Sequence, residues 1–252
     1  MIILKSKSEL ELMRQAGRIV AETLEEAEAA IRPGITTEEL NRIIDAAIRG
    51  RGATPSFKGL YGFPASACIS VNEEIVHGIP GKRALKAGDI VSLDVGAQVK
   101  GLHADGAWTF PVGAISAAVQ RLLDVTREAL YIGLSRVKPD GRILEISQSI
   151  QDYVEGHGYN LIRDYQGHGV GHSLHEEPSI PNWLDPNGSR PPNVRMKPGM
   201  TFAVEPMVVQ GRPDTVVRKD KWTVATADRA LSAHFEHTVV VTPGGYDILT
   251  QL

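Results

Sequence analysis

Two aspartates, Asp94 and Asp105, lie in a segment whose pattern is typical of a β-hairpin. Residues 89–112 are rich in Val, Ile and short apolar alternations, which indicates two antiparallel strands. If Val99 and Lys100 form the turn, the two aspartates are directly opposed on one face, with their Cβ atoms about 4.5–5.5 Å apart. Like charges that close on a half-buried sheet repel each other, and a bound cation would offset the repulsion. A register shifted by one residue would separate the two faces.

A glycine-rich segment, residues 167–178, carries three histidines within eight residues. Its glycines are too frequent for a regular helix, so His168, His172 and His175 do not form the His-Glu-x-x-His helix of zinc proteases. Because glycine lets the backbone approach a ligand closely, an imidazole here could bind a metal or an oxyanion. A polar surface loop is the alternative interpretation.

Two glutamates, Glu205 and Glu236, each interrupt an apolar strand. A carboxylate buried in a strand needs a partner, whereas one that faces outward does not, and both interpretations stay open for each residue alone. With Asp94, Asp105 and His168 they form an oxygen-rich set that carries one imidazole. Such ligands suit Mn, Co, Fe or Zn and argue against a structural zinc cluster. Two divalent cations about 3.5–4 Å apart would neutralise the four carboxylates.

Helices and strands must position these residues. Ser8 and Glu11 have the spacing of a capping box at the start of a first helix, and Thr36 and Glu39 have it at the start of a second. The first helix is predicted to end at Pro33-Gly34 and the second at Gly50 to Gly52. Two further helices are predicted at 116–136 and 143–156. Strands are predicted at 67–77, at 89–112 and over about 160–250.

The order of these elements indicates an internal repeat with an offset of 106 residues. The offset superimposes Pro33 on Pro139 and Gly52 on Gly158, which predicts two similar halves, approximately residues 8–112 and 116–250. Their antiparallel strands could merge into one curved sheet, with helices on one face and a cleft on the other, in an α+β fold. Chance recurrence of Pro-Gly turns is the alternative.

Composition and charge exclude several classes of protein. The 252 residues are 42% hydrophobic and 23% charged, and the net charge of −3 gives no electrostatic reason to bind nucleic acid or an anionic membrane. No stretch reaches the roughly 20 apolar residues of a membrane span, and no signal-peptide core is apparent. The one cysteine, Cys68, precludes an intrachain disulfide and suits a reducing compartment, so we expect a cytoplasmic protein.

Five sequence blocks resemble those of the methionine aminopeptidases in their type I, bacterial form. The blocks are CISVNEEIVHGIP from Cys68, GHGVG from Gly167, HEEP from His175, MTFAVEP from Met200 and EHTVVVT from Glu236. The resemblance covers nearly the whole chain. It implies a single domain over residues 1–252 with the pita-bread α+β fold, a curved antiparallel sheet flanked by helices with a pseudo-twofold internal repeat.

The resemblance also implies a role for each candidate metal ligand. Asp94 would bind one metal through both oxygens, and Asp105 and Glu236 would bridge two metals. His168 and Glu205 would complete the second metal site. Glu205 would also act as the general base toward the water that the metals share. The expected cofactors are therefore two divalent cations, drawn from Co, Mn, Fe and Zn.

Further residues follow from the same resemblance. His175 would steady the tetrahedral intermediate, and His77 would contact the substrate near the scissile bond. A pocket for the methionine side chain would be lined by Phe63, Cys68, Leu174 and Trp222. Core packing is the alternative for the two aromatic residues, and Cys68 is expected to be a small pocket residue, not a nucleophile. Leu60, Leu174 and His172 differ from residues frequent in bacterial relatives, which predicts a somewhat altered pocket and entrance.

The implied activity is hydrolytic removal of N-terminal methionine from nascent proteins and peptides whose second residue is small. The ribosome is a further candidate partner, and a monomer is expected. Three alternatives stay open: a proline dipeptidase, although those enzymes usually carry a further N-terminal domain; a binding protein of the same fold that has lost catalysis; and an α+β protein without a metal.

Overall fold

The computed structural model describes residues 2–188 and 191–251, which contain four α-helices and fifteen short strands. The helices are α1 Lys7–Ala30, α2 Thr37–Gly50, α3 Ala117–Leu134 and α4 Ile143–Gly156. The strands are β1 Thr54–Pro55, β2 Ala67–Val71, β3 Glu74–Val76, β4 Ile90–Val99, β5 Leu102–Pro111, β6 Asn160–Leu161, β7 Gln166–Gly169, β8 Glu176–Pro181, β9 Thr201–Val204, β10 Met207–Val209, β11 Thr215–Val217, β12 Val224–Thr226, β13 Ser232–His234, β14 His237–Thr242 and β15 Gly245–Ile248.

Capping boxes begin the first two helices, and one of the two was assigned to the wrong residues. The cap of α1 is Ser6, whose hydroxyl accepts from the backbone N–H of Glu9 while the Glu9 carboxylate accepts from the Ser6 N–H at 2.7 Å. The Ser8–Glu11 prediction is therefore wrong by two residues, since Ser8 already lies in the helix. The Thr36–Glu39 box at the start of α2 is confirmed.

The register of the β4–β5 hairpin also differs from the prediction. Asp94 lies opposite Ala107 and Asp105 lies opposite Gly96, so the two aspartates are diagonal neighbours on one face. The turn consists of Lys100 and Gly101, with φ values of 48° and 88°. A two-residue hairpin turn of this kind needs positive φ at both positions, which the β-branched Val99 resists. The observed turn lies one residue later than predicted, which changes the partner of each residue by two positions. Side chains alternate between faces with a period of two, so both carboxylates stay on the same face.

The two helix pairs repeat each other at the predicted offset. α2 begins at Thr37 and α4 at Ile143, and the glycines that follow them, Gly52 and Gly158, have φ values of 77° and 79°. The two-residue strands β1 and β6 come next in the two halves. Glycine adopts positive φ without a Cβ clash, so the same turn ends both helices. The predicted α+β architecture with an internal repeat is confirmed.

Antiparallel strands form four hydrogen-bonded sheets in the described residues, and two of them hold most of the site. In the first, β4 pairs with β1, β2 and β5; the second has the order β15-β14-β9-β7-β8. The backbones of Ala107 and Glu236 join the two sheets, because the Glu236 N–H donates to the Ala107 carbonyl oxygen at 2.8 Å. This contact brings the β4–β5 carboxylates next to those of the second half.

Each half has its own buried core beneath its helices. In the first, Ile44 and Leu40 of α2 and Val20 of α1 pack on the β2–β4–β5 sheet, and in the second, residues of α3 and α4 pack around Phe202 and Phe235. Trp108 is partly buried against both cores. Within residues 2–188 and 191–251, every helix is too short or too polar to cross a membrane.

Candidate metal centre and active site

The five predicted ligands line one cavity of about 340 Å³. Asp94 and Asp105 come from the β4–β5 hairpin, and His168 comes from β7. Glu205 follows β9 directly, and Glu236 lies in the two-residue link between β13 and β14. All five therefore lie on strands or at strand ends, which hold their backbones rigidly. The predicted set comes from four separate segments of the chain and converges in space.

The imidazole of His168 is the centre of one group of ligand atoms. Its Nε2 atom lies 3.9 Å from Oδ2 of Asp105 and 3.5 Å from Oε1 of Glu205. Asp105, His168 and Glu236 each offer one ligand atom, and these three atoms lie within 4.8 Å of one another. The Nδ1 atom of His168 lies 2.9 Å from the carbonyl oxygen of Gly169, so it can donate to that oxygen while Nε2 keeps a free lone pair.

A second group of ligand atoms contains a residue that sequence reasoning missed. Glu205, His234 and Glu236 each offer an atom within 4.8 Å of the others. His234 is the last residue of β13 and is 2% exposed. Side chains two residues apart in a strand point to the same side, so the step from Glu236 back to His234 could have identified it from the sequence.

Burial and mutual charge shift the pKa values of these groups in the metal-free protein. Burial raises the pKa of Glu205 to about 8. Burial, followed by the charges of Asp105 and Glu205, raises the pKa of both Asp94 and Glu236 well above the usual range. Burial lowers the pKa of His168 and that of His234 to about 3, so both imidazoles are neutral near pH 7 and can act as metal ligands.

Unpaired polar atoms concentrate in this cluster. Among the described residues, buried atoms without a hydrogen-bond partner include Oδ1 of Asp94 and of Asp105, Oε1 of Glu236 and both ring nitrogens of His234. Each unpaired buried polar atom costs about 1–3 kcal/mol. Three of these atoms belong to residues that line the cavity, and Nε2 of His234 lies beside Glu205 and Glu236, which indicates that a bound group completes their coordination. Carboxylate oxygens with imidazole nitrogens are the donors that divalent transition metals take, so the residues fit such metals.

His77 and His175 lie at the same cavity as the carboxylates. The His175 ring contacts His168 edge to face, with ring centroids 4.3 Å apart, and stacks on Tyr61 at 6.1 Å. His77 packs against Tyr165 with centroids 5.5 Å apart, and its φ is 58°. A positive φ is uncommon for a residue other than glycine and clusters at functional positions. Both rings are therefore placed to reach a molecule in the cavity.

Three of the four predicted pocket residues line the cavity. Phe63, Cys68 and Trp222 do so, and Phe63 and Trp222 meet edge to face at 5.2 Å. Leu174 is not among the residues that line it, but it is 2% exposed and belongs to the same buried cluster as Phe63 and Cys68. His172 lies outside it and pairs with Glu9 at 2.8 Å. Further lining residues that were not predicted are Phe57, Tyr61, Val76, Tyr165, Gln166, Ser179 and Met207.

Known proteins share both the sequence and the fold of this chain. The sequence profile of metallopeptidase family M24 matches residues 11–243. Methionine aminopeptidase 1 of Bacillus subtilis is 52% identical over 252 residues, which is 100% of both chains. The crystal structure of a methionine aminopeptidase from Thermotoga maritima superimposes with a TM-score of 0.96 at 44% identity over 100% of both chains. A Pyrococcus furiosus prolidase has a TM-score of 0.81 at 22% identity, over 99% of this chain and 66% of the prolidase, and this likeness shows the fold alone.

Proposed function

We propose that this chain, which belongs to metallopeptidase family M24 as a methionine aminopeptidase of the type I form, removes N-terminal methionine from peptides and nascent proteins whose second residue is small. The family has the pita-bread fold, and its members are hydrolases. The observation that carries the proposal is the cluster of unpaired, buried carboxylate atoms of Asp94, Asp105 and Glu236 at one side of an aromatic-walled cavity.

The proposed cofactors are two divalent cations of the Co, Mn, Fe and Zn class. The residues proposed to hold them are Asp94, Asp105, His168, Glu205 and Glu236. The formal charge of the four carboxylates, −4, supports two ions over one, since a single ion would leave the buried cluster strongly anionic. When bound, the cations lower the pKa of water and polarise the scissile carbonyl.

The protein's own groups supply the remaining steps. Glu205, a carboxylate at the cavity, accepts a proton from the attacking water and so acts as general base. His175 donates a hydrogen bond to the oxyanion that develops on the carbonyl oxygen. His77 contacts the substrate close to the scissile bond. The free α-amine of the substrate is held beside the carboxylate cluster, which restricts hydrolysis to the first residue.

The substrate preference rests on the cavity walls. Phe63, Cys68 and Trp222 offer aromatic faces and a thiol, which suit the polarisable thioether of methionine. We propose that Leu174 supports this pocket from behind. A cavity of about 340 Å³ is at the small end of the range for ligand sites, which suits a single methionine side chain.

The domain organisation, oligomeric state and cellular location are part of the same proposal. We propose that the chain acts as a monomeric single domain, with repeat halves at about residues 8–112 and 116–250, on nascent chains in the cytoplasm. The ribosome is the proposed partner that presents these chains. The single cysteine supports the cytoplasmic part of this proposal, because it suits a reducing compartment.

A peptide-hydrolysis assay tests the proposal. Purified protein with Co or Mn is expected to release methionine from Met-Gly and Met-Ala peptides, much less from Met-Leu, and none from N-acetylated Met-Gly. Failure on both unblocked small-residue peptides with several metals would contradict the function. Parallel dipeptides with Pro at the second position, such as Leu-Pro, test the proline-dipeptidase alternative, which requires cleavage of the Xaa-Pro bond in preference to release of methionine from Met-Gly.

A further inference from the structure

His234 has a rigid backbone and a side chain that faces the carboxylate cluster. The Thr109 hydroxyl donates to the His234 carbonyl oxygen at 2.8 Å and also lies 2.9 Å from the His234 N–H, from which it accepts. The adjacent Phe235 points to the other side of the chain and is buried in the core of the second half. The imidazole is therefore held on the side of Glu236, two residues further on.

The two ring nitrogens of His234 have no hydrogen-bond partner in the part of the chain that the structure describes. Its Nε2 atom nevertheless lies 3.4 Å from Oε2 of Glu205 and 4.0 Å from Oε2 of Glu236. A ring that is 2% exposed and unpaired at both nitrogens is destabilising unless another group completes it. The nitrogen that faces two carboxylates is the one that a cation would satisfy.

The distances resemble those between ligands of one metal ion. Donor atoms about 2.0–2.2 Å from the same ion lie roughly 3–3.6 Å from each other. The 3.4 Å separation of His234 from Glu205 is in that range, as is the 3.5 Å separation of His168 from Glu205. The two imidazoles approach different oxygens of this carboxylate, Oε2 and Oε1 respectively.

We propose that His234 is a second imidazole ligand of the metal centre and binds an ion that Glu205 and Glu236 also bind. The inference rests on the proposed metal-dependent function and extends it by one residue outside the predicted ligand set. The centre then carries two nitrogen donors, one beside each oxygen of Glu205. Imidazole favours Zn, Fe, Co and Ni over Mn and Mg, so this ligand shifts the metal preference of the chain toward the first group.

Proton NMR of the Co-loaded protein tests the proposal directly. An imidazole bound through one nitrogen carries a proton on the other, and that proton appears as a strongly shifted, solvent-exchangeable signal. We expect two such signals in the wild-type protein and one in His234→Gln. One signal in the wild-type protein, unchanged in His234→Gln, would overturn the proposal and leave His234 as a neighbour that only faces the carboxylates.

Metal titration gives a second readout that does not depend on turnover. In His234→Gln we expect the affinity for Zn to fall about 10–100-fold and the affinity for Mn to fall less. His103→Gln is the matched control, because His103 is also buried but its ring nitrogens contact Gln98 and Ser56 at 2.9 Å. Equal losses in both variants, or equal losses for Zn and Mn, would contradict the proposal.

Two safeguards separate the possible failures. If His234→Gln does not fold, the wild-type NMR count still decides, because it needs no variant. If the wild-type protein binds no divalent transition metal at all, the proposed metal-dependent function fails together with this inference. If it binds metals through one imidazole only, the function stands and the His234 inference alone fails.

Discussion

The Nε2 atom of His168 lies 3.5 Å from Oε1 of Glu205, across the junction of two neighbouring strands. β7, which carries His168, pairs with β9, and Glu205 follows β9 directly. The pairing fixes both backbones, so neighbouring strands, and not loops, hold the imidazole next to the carboxylate. A carboxylate on such a frame can act on a substrate without first being reorganised.

Replacing Glu205 by Gln tests its proposed role as general base. The amide has nearly the same shape but cannot accept a proton from water at neutral pH, so we expect kcat on Met-Ala to fall about 10²–10⁴-fold. Folding should be preserved, as shown by an unchanged circular dichroism spectrum. Metal content should be measured in parallel, and turnover compared at saturating metal. Turnover close to that of the wild type would remove Glu205 from the role of base.

The same carboxylates make the stability of the metal-free protein depend on pH. Burial raises the pKa of Glu205 from 4.5 to about 8, and it also raises the pKa of Asp94, Asp105 and Glu236. An acid with a raised pKa in the folded state contributes stability that is complete below its unfolded pKa and is lost as the pH rises through the folded value. The buried imidazoles of His168 and His234, whose pKa values are lowered from 6.5 to about 3, have the opposite effect on stability up to about pH 6.5. We therefore expect the melting temperature of EDTA-treated protein to fall between about pH 6.5 and pH 8, by about 2–4 °C for each kcal/mol lost.

Metal loading should remove most of this dependence, because bound cations stabilise the ionised carboxylates. Scanning calorimetry of the EDTA-treated and metal-loaded proteins across this pH range checks the prediction. Glu205→Gln provides a control, since it stays neutral and should flatten the curve of the metal-free protein. Parallel curves with and without metal would show that the cluster does not carry the effect.

Cys68 is expected to be a wall of the pocket and not a nucleophile. Burial, followed by the charges of Asp94 and Asp105, raises the pKa of its thiol well above 9.0, so the reactive thiolate is scarce at neutral pH. Cys68→Ala should lower kcat by less than about tenfold, which corresponds to about 1.4 kcal/mol of activation free energy. The metal-loaded wild type should also react slowly with iodoacetamide. Loss of most turnover in Cys68→Ala with metal binding intact would contradict this.

Local chemistry accounts for the parts of the structure that the sequence predicted well. The capping box of Thr36 and Glu39 depends on residues three apart, and the Gly52 and Gly158 turns depend on single residues. The β4–β5 register was missed because the turn residues, Lys100 and Gly101, adopt positive φ, and the pattern of apolar residues alone does not locate a turn.

The site was harder to predict where contacts join distant segments. Met207 and Tyr165 reach the cavity only because β10 and the segment before β7 pack beside it. Leu174 is predicted to line the pocket, but its side chain is buried in the cluster that contains Phe63 and Cys68 and does not reach the cavity. His234 is an exception, since the sequence places it two residues before Glu236 in an apolar run, and this spacing puts two side chains on the same side of an extended chain.

Lys5 and Glu176 form a buried ion pair whose loss should be costly. Their Nζ and Oε2 atoms lie 2.7 Å apart, and the two side chains are 1% and 12% exposed. Burial raises the pKa of Glu176, but the hydrogen bonds from Lys5 and from the Ser173 N–H outweigh it, so the net pKa is lowered. A lowered pKa contributes stability above the unfolded value of 4.5 that is lost as the pH falls through the folded value.

Urea unfolding of Lys5→Met, Glu176→Gln and the double variant measures this pair. Lys5→Met leaves a buried carboxylate without its cation, so we expect a loss of about 3 kcal/mol at pH 7. The double variant should lose less than the two single variants added together, because it leaves no unpaired charge. At pH 3 Glu176 is largely protonated in the unfolded chain, and Lys5→Met can bury it in the neutral form, so the loss of stability in this variant should shrink. Additive single losses that do not change with pH would show that the two side chains act independently.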